Sequence, residues 1–261
     1  MLKFLIPSGA AVLRAGALGL ALCATSAGFA ADAALQAKSS FTPTQRDELK
    51  KLIHAYIVEN PDVITEAVSA LQAKEDAARD DKQKTVLKSR KQDLMEPGEG
   101  TVLGNLKGDV TIVEFFDYNC GYCKNLFPAM METVKEDGKV RLVMKEFPIL
   151  GPSSVTAAKA ALASVKQGKY PAFHMALLGH KGALSDEVIM SVAKDTGLDV
   201  AQMQKDMKAA DVDKTIEANH TLARDLQITG TPALVIGNSF VPGAVSKDSL
   251  KELIAKARAK S

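Results

Sequence analysis

Cys120-Gly121-Tyr122-Cys123 places two thiols three residues apart, directly after a short β-rich apolar run and at the start of a helical pattern. A helix N-terminus offers partial positive charge and free N–H groups, which favour a thiolate at Cys120 over a thiol. Cys123, one turn further in, is shielded and placed to resolve a mixed disulfide by attacking the sulfur of Cys120. Gly121 and Tyr122 then tune how strongly the reduced pair is stabilised. Zinc uses the same spacing but needs two further ligands, and no second CxxC exists. His174 and His180 lie some fifty residues downstream and on a helix point to different faces, so no metal is assigned. A purely structural disulfide closing so short a loop would stabilise little.

A redox pair of this kind needs a strand that ends at it and a helix that begins at it. Val110 to Phe116 fits a buried strand, Cys120 to Asp137 a helix containing Pro128, and Val140 to Phe147 a second strand. Residues 153 to about 226 are alanine-rich and helical, broken at Gly168, Gly179-His180-Lys181-Gly182 and Gly197. Ala233 to Ile236 and Ser239 to Val241 form a hairpin turned at Gly237-Asn238, and Ser246 opens a last amphipathic helix. This order predicts an α/β thioredoxin fold with a helical insertion over about 153–226. Met130, Met131, Met144 and Met175 read as core filler, and Phe115 and Phe116 as sheet packing.

Upstream, Thr42-Pro43-Thr44-Gln45 carries a capping box and a proline suited to the first helical position. Leu49, Leu52, Ile53, Tyr56 and Ile57 follow at helical spacing, and Asn60-Pro61-Asp62 starts a second helix with Val63, Ile64, Ala67, Val68 and Leu71. From Lys74 to Asp93 interleaved charges dominate, which reads as a solvated helical spacer. Pro97-Gly98-Glu99-Gly100 is the expected boundary. Three regions result: 1–30, 31–96 and 97–261.

The first thirty residues have the layout of a secretory signal peptide: Lys3, a short apolar stretch to about Cys23, and small residues ending at Ala30, where cleavage is expected. Arg14 interrupts the stretch, and no later run is long and apolar enough to suggest stable membrane insertion. A lipid anchor on Cys23 is disfavoured by the bulky Leu22 before it. The chain has 33 Lys+Arg and 31 Asp+Glu; without Lys3 and Arg14 the balance is 31 against 31, which gives no footprint for nucleic acid. Two of the three cysteines remain, a redox centre rather than a stapling framework.

Val113-Glu114-Phe115-Phe116-Asp117-Tyr118-Asn119-Cys120-Gly121-Tyr122-Cys123-Lys124 resembles the active-site segment of the DsbA family of periplasmic thiol oxidoreductases. Phe147-Pro148-Ile149-Leu150-Gly151-Pro152-Ser153-Ser154 resembles that family's entry into its helical insertion, and Gly230-Thr231-Pro232-Ala233 its substrate loop. The N-terminal part, with Tyr56, Asn60 and Pro61, is similar to the N-terminal domain of ScsC-type proteins. An X–Pro bond is trans by default; the resemblance implies that Thr231–Pro232 is cis, packs against Cys120 and leaves the Thr231 backbone free for an extended peptide. It also implies that Glu114 is a buried acid accepting the Cys123 proton; read without it, Glu114 is a strand-end charge reaching solvent.

The resemblance implies a periplasmic enzyme without a cofactor, acting on secreted proteins that carry cysteines. Gly-Tyr between the cysteines and Thr before the proline resemble the isomerase DsbC more than the oxidase DsbA. The implied reading is an oligomeric isomerase or reductase, a homo-oligomer through residues 41–72 with 73–96 as spacer. Its membrane partner would be a DsbD- or ScsB-like reductase, or, for a DsbA-like oxidase, a DsbB-like protein. Copper tolerance is associated with ScsC-type proteins, so Cu(I) binding by the reduced Cys120 and Cys123 stands as a further alternative.

Overall fold

The computed structural model describes residues 41–96 and 100–259. The expected leader, its Cys23 and the Pro97-Gly98-Glu99 break lie outside the described residues. Two compact units divide at Ser69/Ala70.

In the first unit, helix α1 (Pro43–Glu59) opens on the expected capping box. The Gln45 N–H donates to Thr42 Oγ1 at 3.3 Å, and the Thr42 N–H donates to Gln45 Oε1 at 2.9 Å. Helix α2 (Asp62–Ser89) begins as its Asn-Pro-Asp signal predicts. Leu52, Ile53, Tyr56, Ile64 and Val68, the apolar stripe of these helices, are exposed by between 48% and 67%. These side chains recur at helical spacing, and no residue of α1 is buried.

The second unit is built on a five-stranded sheet in the order β1-β3-β2-β4-β5. Its strands are β1 (Val102–Gly104), β2 (Val110–Phe116), β3 (Val140–Glu146), β4 (Ala233–Ile236) and β5 (Ser239–Pro242). Only β2 and β3 run parallel, joined by a crossover helix, as parallel pairing requires. Counting in chain order after the short α3 (Lys91–Met95), that crossover is α4 (Gly121–Asp137). The insertion comprises α5 (Pro152–Ser164), α6 (Tyr170–Gly179), α7 (Asp186–Asp195), α8 (Val200–Asp206) and α9 (Ala210–Asp225). The chain returns through the β4–β5 hairpin to α10 (Lys247–Arg258), capped by Ser246 as expected.

Alternation along β2 explains its uniformly apolar look. Ile112 and Phe116 join the larger core with α4 and the insertion; Val113 and Phe115 face a second core with Leu87, Leu222 and Leu226. A strand covered on both faces reads as a continuous apolar run. The charged stretch 74–93 differs from a fully solvated spacer. Gln83 and Leu87, with Leu94 just beyond it, are buried, and the Gln83 amide donates to the Leu226 carbonyl at 2.9 Å. Lys145 Nζ caps α3 by donating to the carbonyls of Asp93 (2.9 Å) and Glu96 (2.8 Å). The charges occupy the outer face, so composition concealed a sparse inner one.

Candidate functional site

β2 delivers the chain to a three-residue turn, Asp117-Tyr118-Asn119, and α4 starts immediately after Cys120. Cys120 is the N-cap itself, in extended backbone geometry, and its sulfur accepts the Cys123 N–H at 3.4 Å. The turn is tied to the insertion on every residue. The Asp117 carboxylate accepts the N–H groups of Ile149 (2.8 Å) and Leu150 (3.0 Å) and the Ser154 hydroxyl (2.7 Å). Asn119 donates to Ser153 Oγ at 3.0 Å and accepts the Leu184 N–H at 3.0 Å. Lys124, in the first turn of α4, donates to the carbonyls of His180 (2.9 Å) and Gly182 (2.8 Å).

The structure brings Cys120, Cys123, Thr231 and Pro232 together. The Thr231–Pro232 bond is cis, and Cys120 Sγ lies 3.2 Å from the Thr231 carbonyl. Both cysteines are free thiols. Cys123 is fully buried behind Cys120, whereas Tyr122 is 70% exposed at the rim. A side chain added at Gly121 would meet nothing, so that position is open to whatever docks there. A cavity of about 670 Å³ includes Thr231 and Pro232 in its lining, together with Phe240, Pro242 and, from α2, Arg79 and Asp80.

Electrostatics separate the two thiols. Hydrogen bonding from the Cys123 thiol, then from Thr231 and the Cys123 and Tyr122 N–H groups, holds Cys120 down to about 5. Cys123 is pushed far up by its bond to the Cys120 sulfur, by burial and by the charge of Glu114. Only one of the pair is therefore a thiolate at neutral pH. Glu114 is buried, 1% exposed, on the β2 face that carries Ile112 and Phe116, so it does not reach solvent. Its Oε2 has no hydrogen-bond partner. Burial first, and the Cys120 charge second, raise Glu114 to about 8.

Sequence reasoning missed a buried polar cluster next to this site. Tyr118 Oη lies 2.9 Å from Glu146 Oε1 and 2.8 Å from His174 Nδ1, and Tyr170 Oη lies 3.0 Å from the same Glu146 oxygen. The acid ends an apolar strand and reads as a strand-end charge, and a lone histidine in a helix carries no spacing signal. Asp117 and Asn119 were visible only as neighbours of the cysteine.

The DSBA-like thioredoxin domain matches residues 111–255. The chain belongs to this family. Residues 45–78 match the N-terminal domain of the copper resistance protein ScsC. A thioredoxin-like oxidoreductase from Silicibacter pomeroyi is 45% identical, with a TM-score of 0.60 over 61% of this chain and 92% of that one. Proteus mirabilis ScsC, in a structure described as a transitional conformation, is 31% identical with a TM-score of 0.62, over 85% of this chain and 99% of that one. A probable disulfide bond formation protein D from Bacillus cereus is 27% identical over 168 residues, 59% of this chain and 76% of that protein. The chain spans only 26% of the length of another curated relative, the Na(+)/H(+) antiporter NhaA 1 of Salinispora arenicola, at 28% identity over 172 residues. Among the described residues no helix is long and apolar enough to cross a membrane.

Proposed function

We propose that this chain is a periplasmic thiol–disulfide oxidoreductase acting through Cys120 and Cys123 on exported proteins. We further propose that residues 41–72 assemble it into an oligomer that isomerises or reduces their disulfides. One observation carries the chemistry: a thiolate-favouring Cys120 capping a helix, 3.2 Å from the Thr231 carbonyl, with a protonated Cys123 buried behind it.

The Cys120 thiolate attacks one sulfur of a substrate disulfide; that S–S bond breaks and the other substrate sulfur leaves as thiolate. The chain is then held through a mixed disulfide, its flanking backbone beside Thr231. Cys123 gives its proton to Glu114 and attacks the Cys120 sulfur, releasing the second substrate thiolate. Two electrons have passed to the substrate, and Cys120–Cys123 is the new disulfide. Glu114 suits the proton transfer because its pKa of about 8 lies near neutral pH. At neutral pH Glu114 mostly carries its own proton, which it must first release to water. Loss of the Cys120 charge, the lesser of the two causes holding its pKa up, favours that release, and the carboxylate so formed accepts the Cys123 proton.

The isomerase or reductase direction is supported by the exposed stripe of Leu52, Ile53, Tyr56, Ile64 and Val68 and by the match of residues 45–78 to the ScsC N-terminal domain. Alkylation trapping of the pair in cells tests it: mostly reduced Cys120 and Cys123 are expected, and a mostly oxidised pair would mean an oxidase. The same match favours a second reading, Cu(I) bound between the two soft thiolates. Among the described residues no group of three or more His, Cys, Asp or Glu could add ligands, so Cu(I) titration before and after oxidation of the pair separates the two.

A further inference from the structure

The larger core contains a polar cluster with no part in the steps above. Glu146 ends β3, His174 and Tyr170 come from α6, and Tyr118 sits two residues before Cys120. All four are at most 1% exposed. The imidazole is enclosed by rings, with Phe116, Phe127 and Tyr170 centroids at 4.9, 5.4 and 5.3 Å. Its Nε2 has no partner.

Hydrogen counting restricts this cluster. Tyr118 owns one hydroxyl hydrogen but has two neighbours in range, Glu146 Oε1 and His174 Nδ1. With Glu146 ionised, both tyrosines donate to it, His174 Nδ1–H donates to Tyr118 Oη, and Nε2 is a bare lone pair. With Glu146 protonated, its O–H donates to Tyr118, whose own hydrogen turns to His174 Nδ1. The imidazole hydrogen must then sit on Nε2. The two states differ by one proton and by the His174 tautomer, and both hold Tyr118 from two sides. Burial keeps His174 neutral, down at about 3, and pushes Glu146 well above the usual carboxylate range. The other ionisable groups facing the cluster are Asp117 on the same turn and Glu114 on β2.

We propose that Glu146 and His174 are positioning residues for the Cys120 turn, acting together through the single hydroxyl hydrogen of Tyr118; this rests on the thiol–disulfide reading above. Asp117 and Asn119 anchor that turn to the start of α5 and to Leu184, while Tyr118 anchors it to β3 and α6. The alignment of the Cys120 sulfur with the α4 N–H groups depends on where the turn is held.

Tyr118→Phe in the full chain removes only the hydroxyl and keeps the ring packing. Its Cys120 thiolate titration, followed by absorbance, is expected to rise by roughly 0.5–1 pH unit, the scale of one hydrogen bond acting on one protonation state. Equilibration with glutathione is expected to favour the disulfide by about 3–10-fold more than in wild type, because a less stable thiolate makes a weaker oxidant. Glu146→Ala should move both readouts the same way. Glu146→Gln should restore them, since its amide oxygen in the place of Oε1 accepts from both tyrosines as the carboxylate does, and nitrogen NMR should find His174 locked as the Nδ1–H tautomer. Folded Tyr118→Phe with wild-type titration and equilibrium would overturn the proposal, as would Glu146→Gln displaced as far as Glu146→Ala. Should Glu146→Ala not fold, Tyr118→Phe and Glu146→Gln decide alone. A wild type whose Cys120 titrates as an ordinary thiol and ignores glutathione would overturn both this and the oxidoreductase reading.

Discussion

Glu114 links stability to chemistry at a single residue. Its folded pKa is raised from 4.5 to about 8, so between those values the folded chain holds a proton that the unfolded chain has lost. Stability from this group is therefore greatest below 4.5 and declines as pH rises through about 8. Glu114→Gln cannot titrate, so its denaturation midpoint should fall less than that of wild type between pH 5 and pH 8.5. The same substitution should slow release of the mixed disulfide by about 10–100-fold, at or below the low end for a positioned proton acceptor, with the Cys120 titration little changed. Rapid-quench measurement of release, with unaltered turnover, would remove Glu114 from the mechanism. Its candidacy was legible because one acid in Val110–Phe116 stands out among apolar neighbours. Glu146 and His174 were not legible, because their meaning lies in a three-dimensional meeting of β3, α6 and the Cys120 turn.

At the scale of elements, local signals placed α1, α4, β2–β3, the hairpin and α10, where caps and apolar runs speak for themselves. β1 escaped notice because Val102-Leu103-Gly104 is too short to show a period, and its place comes from pairing with β3. The stretch 74–93 misled for a different reason: its charges outnumber the few residues that bury. That difference has a measurable consequence. Leu87 is 7% exposed, so Leu87→Ala should cost about 2–4 kcal/mol in a denaturant titration. A solvated spacer would lose less than about 0.5 kcal/mol from the same change.

For the whole molecule, the division at Ser69/Ala70 offers a place to cut away most of the proposed assembly segment, residues 41–72. A chain begun at Ala70 retains Gln83, Leu87 and Leu94 in their buried places, which a start at Gly100 would not. It is expected to be monomeric in sedimentation, to keep dithiol reductase activity and to lose isomerase activity; retained isomerisation by the monomer would count against the oligomeric reading. The fold and the order of the pair, the acid and the proline were readable in one dimension, whereas the side of α2 that buries was not. The central claim, that Cys120 attacks and Cys123 resolves, is tested most directly by trapping the intermediate with a disulfide-bearing peptide. Full-length Cys123→Ser should accumulate a covalent mixed disulfide through Cys120, and Cys120→Ser should accumulate none. Trapping by Cys120→Ser, or by neither variant, would contradict the account.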